Sequence, residues 1–204
     1  SYDIYAKGGT LSAVNGGSSS EVILDPDEQK AVADAAKLIT LEKAEAIAKA
    51  AGFIGLTSEY KLENYSLYPN WPFRTEYTWN LNYVKTDPQS KATSSISVAV
   101  NANTGVITSY YTYTGDQQGN KPIYTEKDAK EAADNIINKY YADFKDQLKY
   151  DEQYSEQYEI YRTDNPLYYT VRYNRVVNGI EFPDNYIMFE YSAVTGKIYS
   201  LYMN

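Results

Sequence analysis

The chain has no cysteine and no histidine. The first absence excludes disulfides, a thiolate nucleophile and sulfur-ligated zinc or iron; the second removes the commonest general base and transition-metal ligand. Most familiar catalytic constellations lose a member in this way, so a noncatalytic chain with no cofactor and no metal is expected. Positive charge is also scarce. Nineteen Lys and Arg stand against 27 Asp and Glu, a net charge of −8, and no basic cluster interrupts the acidic background. Nucleic-acid backbones need a concentrated positive footprint, so no nucleic-acid partner is expected. No apolar run approaches the roughly 20 residues that cross a bilayer, so direct membrane insertion is not expected either. The chain opens at Ser1 instead of Met, which implies that an upstream segment, and any secretion signal with it, has been trimmed.

What the chain has in quantity is tyrosine, 24 of its 204 residues. At this length folding removes roughly 70% of the unfolded surface from water. The core must therefore accept amphipathic rings, whose hydroxyls need partners or water.

The sequence also repeats itself. Ala102-Asn103-Thr104-Gly105-Val106-Ile107-Thr108-Ser109-Tyr110-Tyr111 returns as Ala193-Val194-Thr195-Gly196-Lys197-Ile198-Tyr199-Ser200-Leu201-Tyr202, with Ala, Thr, Gly, Ile, Ser and Tyr in register. Upstream of each copy lies an alanine-rich segment opened by threonine. Thr40 precedes Ala44, Ile47, Ala48 and Ala51, and Thr125 precedes Ala129, Ala132, Ala133, Ile136, Ile137 and Tyr140. That spacing places each set on one face of a helix.

Beyond each helix the period changes to two, the mark of half-buried strands. Tyr77, Trp79, Leu81 and Tyr83 are answered by Tyr169, Val171 and Tyr173; Ile96, Val98 and Val100 are answered by Ile187, Phe189 and Tyr191. Asn178-Gly179 between Val177 and Ile180 predicts a two-residue hairpin, because a type I′ turn needs positive φ at both positions. Gly105 and Gly196 supply the left-handed residue of a second hairpin loop in each half.

The fold class is therefore α+β: two tandem repeats, each a helix packed on an antiparallel sheet of about three to four strands. The expected boundaries are residues 1–38 for an N-terminal hairpin, a Gly/Ser linker and a helix opened by Asp25-Pro26, then 39–120 and 121–204 for the two repeats.

Candidate binding residues are aromatic. Tyr65-Ser66-Leu67-Tyr68-Pro69-Asn70-Trp71-Pro72-Phe73 reads as a polar loop carrying rings, with Tyr68, Trp71 and Phe73 as partner contacts. Such rings suit a docking surface, a sugar-stacking platform or a lid on the core. Tyr150, Tyr154 and Tyr158 form a second candidate set, their spacing of four fitting a helix face or every second residue of a strand face. The carboxylates Asp151-Glu152, or Asp184 with Glu190, could be imagined as an acid/base pair, but no spacing fixes their separation.

Three segments carry a family resemblance: Ile39-Thr40-Leu41-Glu42-Lys43-Ala44, Trp79-Asn80-Leu81-Asn82-Tyr83 and Val98-Ala99-Val100-Asn101-Ala102-Asn103-Thr104-Gly105. Together they resemble a PepSY-type repeat. Val177-Asn178-Gly179-Ile180-Glu181-Phe182-Pro183 resembles the hairpin of the YcdB/YcdC branch. The resemblance covers about residues 39 to 204. It implies an extracytoplasmic module, secreted or at the cell surface, of a Gram-positive bacterium. Related modules in protease propeptides imply a protein partner, in particular a secreted peptidase that the chain modulates or inhibits. A cell-wall or glycan-binding module is the alternative.

Overall fold

The computed structural model describes residues 6–7, 10–11, 34–70, 76–113, 121–152, 154 and 167–204. The chain divides into two units, Ser1–Lys37 and Leu38–Asn204. In the first, β1 (Ala6–Lys7) and β2 (Thr10–Leu11) pair antiparallel as a hairpin. The Gly/Ser linker and most of the helix expected from Asp25 lie outside the described residues; Asp34 and Ala35 are helical.

Among the described residues the second unit is α+β, with one antiparallel eight-stranded sheet and two long helices, of 10 and 15 residues. Helix α1 (Leu41–Ala50) is followed by β3 (Lys61–Pro69), β4 (Tyr77–Thr86), β5 (Thr93–Asn101) and β6 (Ile107–Tyr113). Helix α2 (Glu126–Tyr140) is followed by β7 (Leu148–Tyr150), β8 (Tyr168–Val177), β9 (Ile180–Ser192) and β10 (Ile198–Met203). The strand order is β3-β4-β5-β6-β10-β9-β8-β7. Where the sequence pointed to a sheet for each half, β6 and β10 pair through Ser200↔Tyr111, Leu201↔Tyr110 and Tyr202↔Ser109 and make the strands one sheet. Pairing there satisfies main-chain groups that two separate sheets would leave as exposed edges.

Each helix starts at its threonine. The Thr40 hydroxyl accepts from the Lys43 N–H at 3.2 Å. The Thr125 hydroxyl accepts from the Asp128 N–H at 3.4 Å, and the Thr125 N–H donates back to Asp128 Oδ2 at 2.7 Å. That reciprocal box is absent from α1 because Lys43 occupies the position of the returning acid. Ala44 and Ala48 of α1, and Ala129, Ala133, Ile136 and Ile137 of α2, are buried against the sheet. Helix α1 lies on β4 and β5, and α2 on β8, β9 and β10.

The strand residues under the helices are Leu81, Tyr83, Ile96, Val98 and Val100 in one half and Val171, Tyr173, Ile187, Phe189 and Tyr191 in the other, all buried. Burial of each large apolar side chain contributes about 1.5–3 kcal/mol. Several aromatic polar atoms in or beside this core find backbone partners. Tyr110 donates to the Ile54 carbonyl at 3.2 Å, Tyr141 to the Ile107 carbonyl at 2.7 Å and the Trp79 indole to the Ile39 carbonyl at 2.9 Å. The alternate residues, among them Asn80, Asn82, Ser97, Tyr111, Glu190 and Tyr202, occupy the other face of the sheet by the two-residue period. Asn178 and Gly179 have φ of 53° and 76°, as the expected hairpin requires.

Candidate functional site

The aromatic segment read as a loop is in part a strand. Tyr65-Ser66-Leu67-Tyr68-Pro69 belongs to β3 and pairs with β4 through Tyr65↔Leu81, Tyr68↔Thr78 and Pro69↔Tyr77. Two features hid it. A register shift between Leu62 and Asn64 interrupts the alternation, and Pro69 reads as a breaker although it closes the strand, where a missing N–H is tolerated. Tyr68 is 43% exposed. Tyr65 is also exposed, its ring centroid 6.4 Å from that of Trp79. Trp71 and Phe73 lie outside the described residues.

Strand β3 is outermost in the sheet, and among the described residues β4 is its only strand partner. Asn64 to Tyr68 carries no charge and no proline. Those are two of the usual devices that blunt an edge strand.

Tyr150 and Tyr154 stand at the opposite end of the sheet. Tyr150 closes β7 opposite Tyr173, with ring centroids 5.6 Å apart. The Tyr154 N–H donates to Asp151 Oδ1 at 3.0 Å. The Arg172 guanidinium lies 4.7 Å from the Tyr154 ring centre and 4.1 Å from that of Tyr186. Tyr158 lies outside the described residues. The spacing of four defines no single face for the two described residues, since Tyr150 is in a strand and Tyr154 in a helical turn.

Around these rings runs a polar network. The Asn174 amide donates to Asp151 Oδ2 and to Glu181 Oε1, both at 2.8 Å, and Glu181 pairs with Lys149 at 3.0 Å. The Asn174 bond, followed by the Lys149 bond, holds the Glu181 carboxyl below the usual glutamate range. Arg172 Nε donates to Asn174 Oδ1 at 2.9 Å, and Arg172 Nη2 donates to the Pro183 carbonyl. The network sits where the β8–β9 register shifts, between Asn174 paired to Tyr186 and Arg175 paired to Phe182. Its evident work is to secure the base of the Asn178-Gly179 hairpin.

The sequence-derived candidates thus occupy two places. Tyr68 on β3 and Tyr150 on β7 are separated by the whole sheet, on the order of 30 Å at the usual interstrand spacing. Asp184 and Glu190 lie six residues apart on β9, on the order of 20 Å along a strand. That exceeds the carboxyl separations used in glycoside hydrolysis. Glu190 accepts from Ser200 Oγ at 2.7 Å.

A third feature had no motif to announce it. A cleft of about 450 Å³ opens between the end of α1, the turn that follows and the start of β3, its walls including Lys49, Ser58, Lys61, Leu62 and Tyr83. Tyr83 is 1% exposed, and its hydroxyl has no hydrogen-bond partner among the described residues. Burial, with the charge of Glu45 adding to it, pushes this phenol up to about 12. The hydroxyl is therefore a proton donor at neutral pH. Lys49 pairs with Glu45 at 3.3 Å, and Lys61 Nζ donates to the Ser58 carbonyl at 3.2 Å.

One sequence signal could have found the cleft. Counted from the capping threonines, the fifth and ninth helix positions are Glu45 and Lys49 in the first half but Lys130 and Asp134 in the second. The same i,i+4 ion pair is present in reversed polarity, with the second pair at 2.7 Å.

Comparison with known proteins places the fold. Among solved structures, the Bacillus megaterium YpeB C-terminal domain is similar, with a TM-score of 0.58 and 11% identity over 81% of this chain and 63% of that one. The chain spans less than two thirds of that structure, and the likeness is one of fold. No curated protein sequence matches significantly. No helix among the described residues is long and apolar enough to cross a membrane. The family described as YcdB, YcdC repeated domain matches residues 43–204, which take in most of α1 and everything after it. The resemblance read from the hairpin and helix motifs is borne out over most of the chain, and the protein belongs to the YcdB/YcdC repeated-domain family.

Proposed function

We propose that the chain is a noncatalytic protein-interaction module made of two copies of one unit, a helix followed by four strands. The copies span residues 39–120 and 121–204, and residues 1–38 precede them as a hairpin, linker and helix. The mirrored strand order and the recurrence of Ala102–Tyr111 at Ala193–Tyr202 support the duplication. By family likeness it works outside the cytoplasm of a Gram-positive bacterium, secreted or at the cell surface. Its partner is an extended segment of another protein, with a secreted peptidase as the class that the PepSY resemblance indicates.

The observation that carries this reading is β3. A strand laid along it would extend the sheet through main-chain hydrogen bonds, and the exposed Tyr65, Leu67 and Tyr68 would supply side-chain contacts. Secreted peptidases passed over the immobilised chain, followed by an inhibition assay, test it. The native chain is expected to retain and slow a peptidase, and Leu67→Lys to lose both effects by charging the edge. A chain that neither retains nor slows any co-secreted peptidase rules the peptidase out as partner.

A second reading rests on the face of the sheet turned away from the helices. Tyr199 packs on Tyr111 and Tyr168, with ring centroids 4.9 and 5.0 Å apart. An aromatic surface of this kind suits a cell-wall glycan, with Tyr68, Trp71 and Phe73 as further stacking rings. Pelleting with purified peptidoglycan, native against Tyr168→Ala and Trp71→Ala, separates the two readings.

A further inference from the structure

The two halves differ in what their helices offer to one matched tyrosine. Tyr83 on β4 pairs with Ile96 and Tyr173 on β8 pairs with Ile187, and both rings are buried beneath a helix. The Tyr173 hydroxyl donates to Asp134 of α2 at 2.5 Å. At the corresponding position of α1 stands Lys49, whose ammonium has no lone pair to offer. The Tyr83 donor is left over, and a cation stands where the other half places an anion. A buried hydroxyl without a partner is costly, about 1–3 kcal/mol, and this one belongs to a residue that lines a cleft.

We propose that the cleft binds a carboxylate, and that the carboxylate is the C-terminus of a peptide strand docked along β3; the second clause rests on the edge-strand reading above. The donors lining it are the ammonium groups of Lys49 and Lys61, with Thr57 and Ser58 beside them, and the Tyr83 hydroxyl, itself covered from solvent, joins them when the wall of the cleft yields to the ligand. Glu45 opposes them, and two lysines against one glutamate leave a net charge of +1. Strand polarity gives the direction. β3 runs from Lys61 to Pro69, so a strand added antiparallel passes Tyr68 first and ends beside Lys61. Its terminal carboxylate reaches the two ammonium groups there, while Leu56 and Leu62 flank its last side chain.

The test follows backbone amide NMR signals of the isotope-labelled chain. N-acetyl-leucine is expected to shift Thr57, Ser58 and Leu62, and N-acetyl-leucinamide to bind at least about tenfold more weakly, the loss expected for a hydrogen bond to a charged group. Tyr83→Phe should weaken the acid about fivefold and keep the folded spectrum. The double variant Glu45→Lys with Lys49→Asp, which rebuilds the Lys130/Asp134 arrangement, should abolish binding. Equal shifts from acid and amide, or a double variant that binds as the native chain does, overturn the carboxylate site.

A second arm uses an acetylated valine/threonine heptapeptide ending in leucine, as acid and as amide. The acid is expected to shift β3 as far as Tyr68 and to bind at least about tenfold more tightly than N-acetyl-leucine, because the two sites are linked. If N-acetyl-leucine binds but the heptapeptide leaves β3 unshifted, the strand-end source is overturned and small free carboxylates are the ligand. If acid and amide heptapeptides shift β3 alike, the edge reading survives and the cleft assignment falls.

Discussion

The Tyr173 hydroxyl donates a 2.5 Å hydrogen bond to Asp134, whereas Tyr83, at the matched register, has no acceptor among the described residues. The same substitution should therefore have opposite consequences. Tyr173→Phe removes a bond to a carboxylate that keeps Lys130 at 2.7 Å, and should cost about 1–2 kcal/mol. Tyr83→Phe removes an unsatisfied group and should change stability by less than about 0.5 kcal/mol or raise it. Urea denaturation with an unchanged m-value checks both; equal losses would mean that the Tyr83 hydroxyl has a hidden partner.

Gly196 and Gly179 both have positive φ, at 69° and 76°, yet they should respond differently to alanine. At Gly179 nothing lies within 4 Å of an added Cβ, so only the left-handed backbone penalty of about 1 kcal/mol applies. At Gly196 the added atom would meet the Tyr124 ring at 2.5 Å. That ring stands edge-on to the buried Tyr191, with centroids 6.1 Å apart. Gly196→Ala should therefore cost more than about 2 kcal/mol, read as a larger fall in thermal midpoint than Gly179→Ala produces.

Much of this architecture was legible because it rests on local chemistry. Thr40 and Thr125 mark the helix starts, alanine spacing marks the buried faces, and Asn178-Gly179 marks the hairpin, all of which depend on neighbours in sequence. What escaped was set by distant partners. The β6–β10 pairing that makes one sheet joins residues 89 positions apart, as Ser200 and Tyr111 are. Strand β3 was masked by its register shift and by Pro69. The unpartnered Tyr83 hydroxyl goes with a charge reversal at Glu45 and Lys49, upstream on α1, which carries meaning only once the two halves are laid over one another.

The two helix starts make a matched experiment. Thr40→Ala deletes one side-chain cap and should cost about 1 kcal/mol. Thr125→Ala also breaks the reciprocal box and should cost up to about 2 kcal/mol. The Thr125 hydroxyl, followed by its N–H, holds the Asp128 carboxyl below the usual aspartate range. A depressed carboxyl contributes stability above its unfolded value near pH 4, and that stability is lost as pH falls through the lower folded value. Thr125→Ala should consequently flatten the acid limb of stability against pH, and Thr40→Ala should flatten it less, because Glu42 is held below the usual glutamate range first by its own main-chain N–H and only then by the Thr40 hydroxyl. An acid limb that Thr125→Ala leaves as steep as in the native chain would rule out Asp128 as its source.

The core tyrosines fix the alkaline limit. Burial, as the first cause in each case, raises Tyr83 to about 12 and holds Tyr110, Tyr141 and Tyr173 higher still. In the unfolded chain these phenols titrate near 10. A raised folded value means that the contribution is complete below about pH 10 and is lost as pH rises toward the folded values. By about pH 11 each buried ring has given up on the order of 1 kcal/mol, and four of them together approach the whole stability of an ordinary domain. The chain should unfold cooperatively between about pH 10 and 12. In the tyrosinate absorbance the buried four should ionise only with the loss of circular dichroism. Tyr83→Phe should move the midpoint upward, because it deletes a group that titrates only when the core opens; buried rings that ionise near pH 10 in a folded chain would refute the assignment of these shifts to burial.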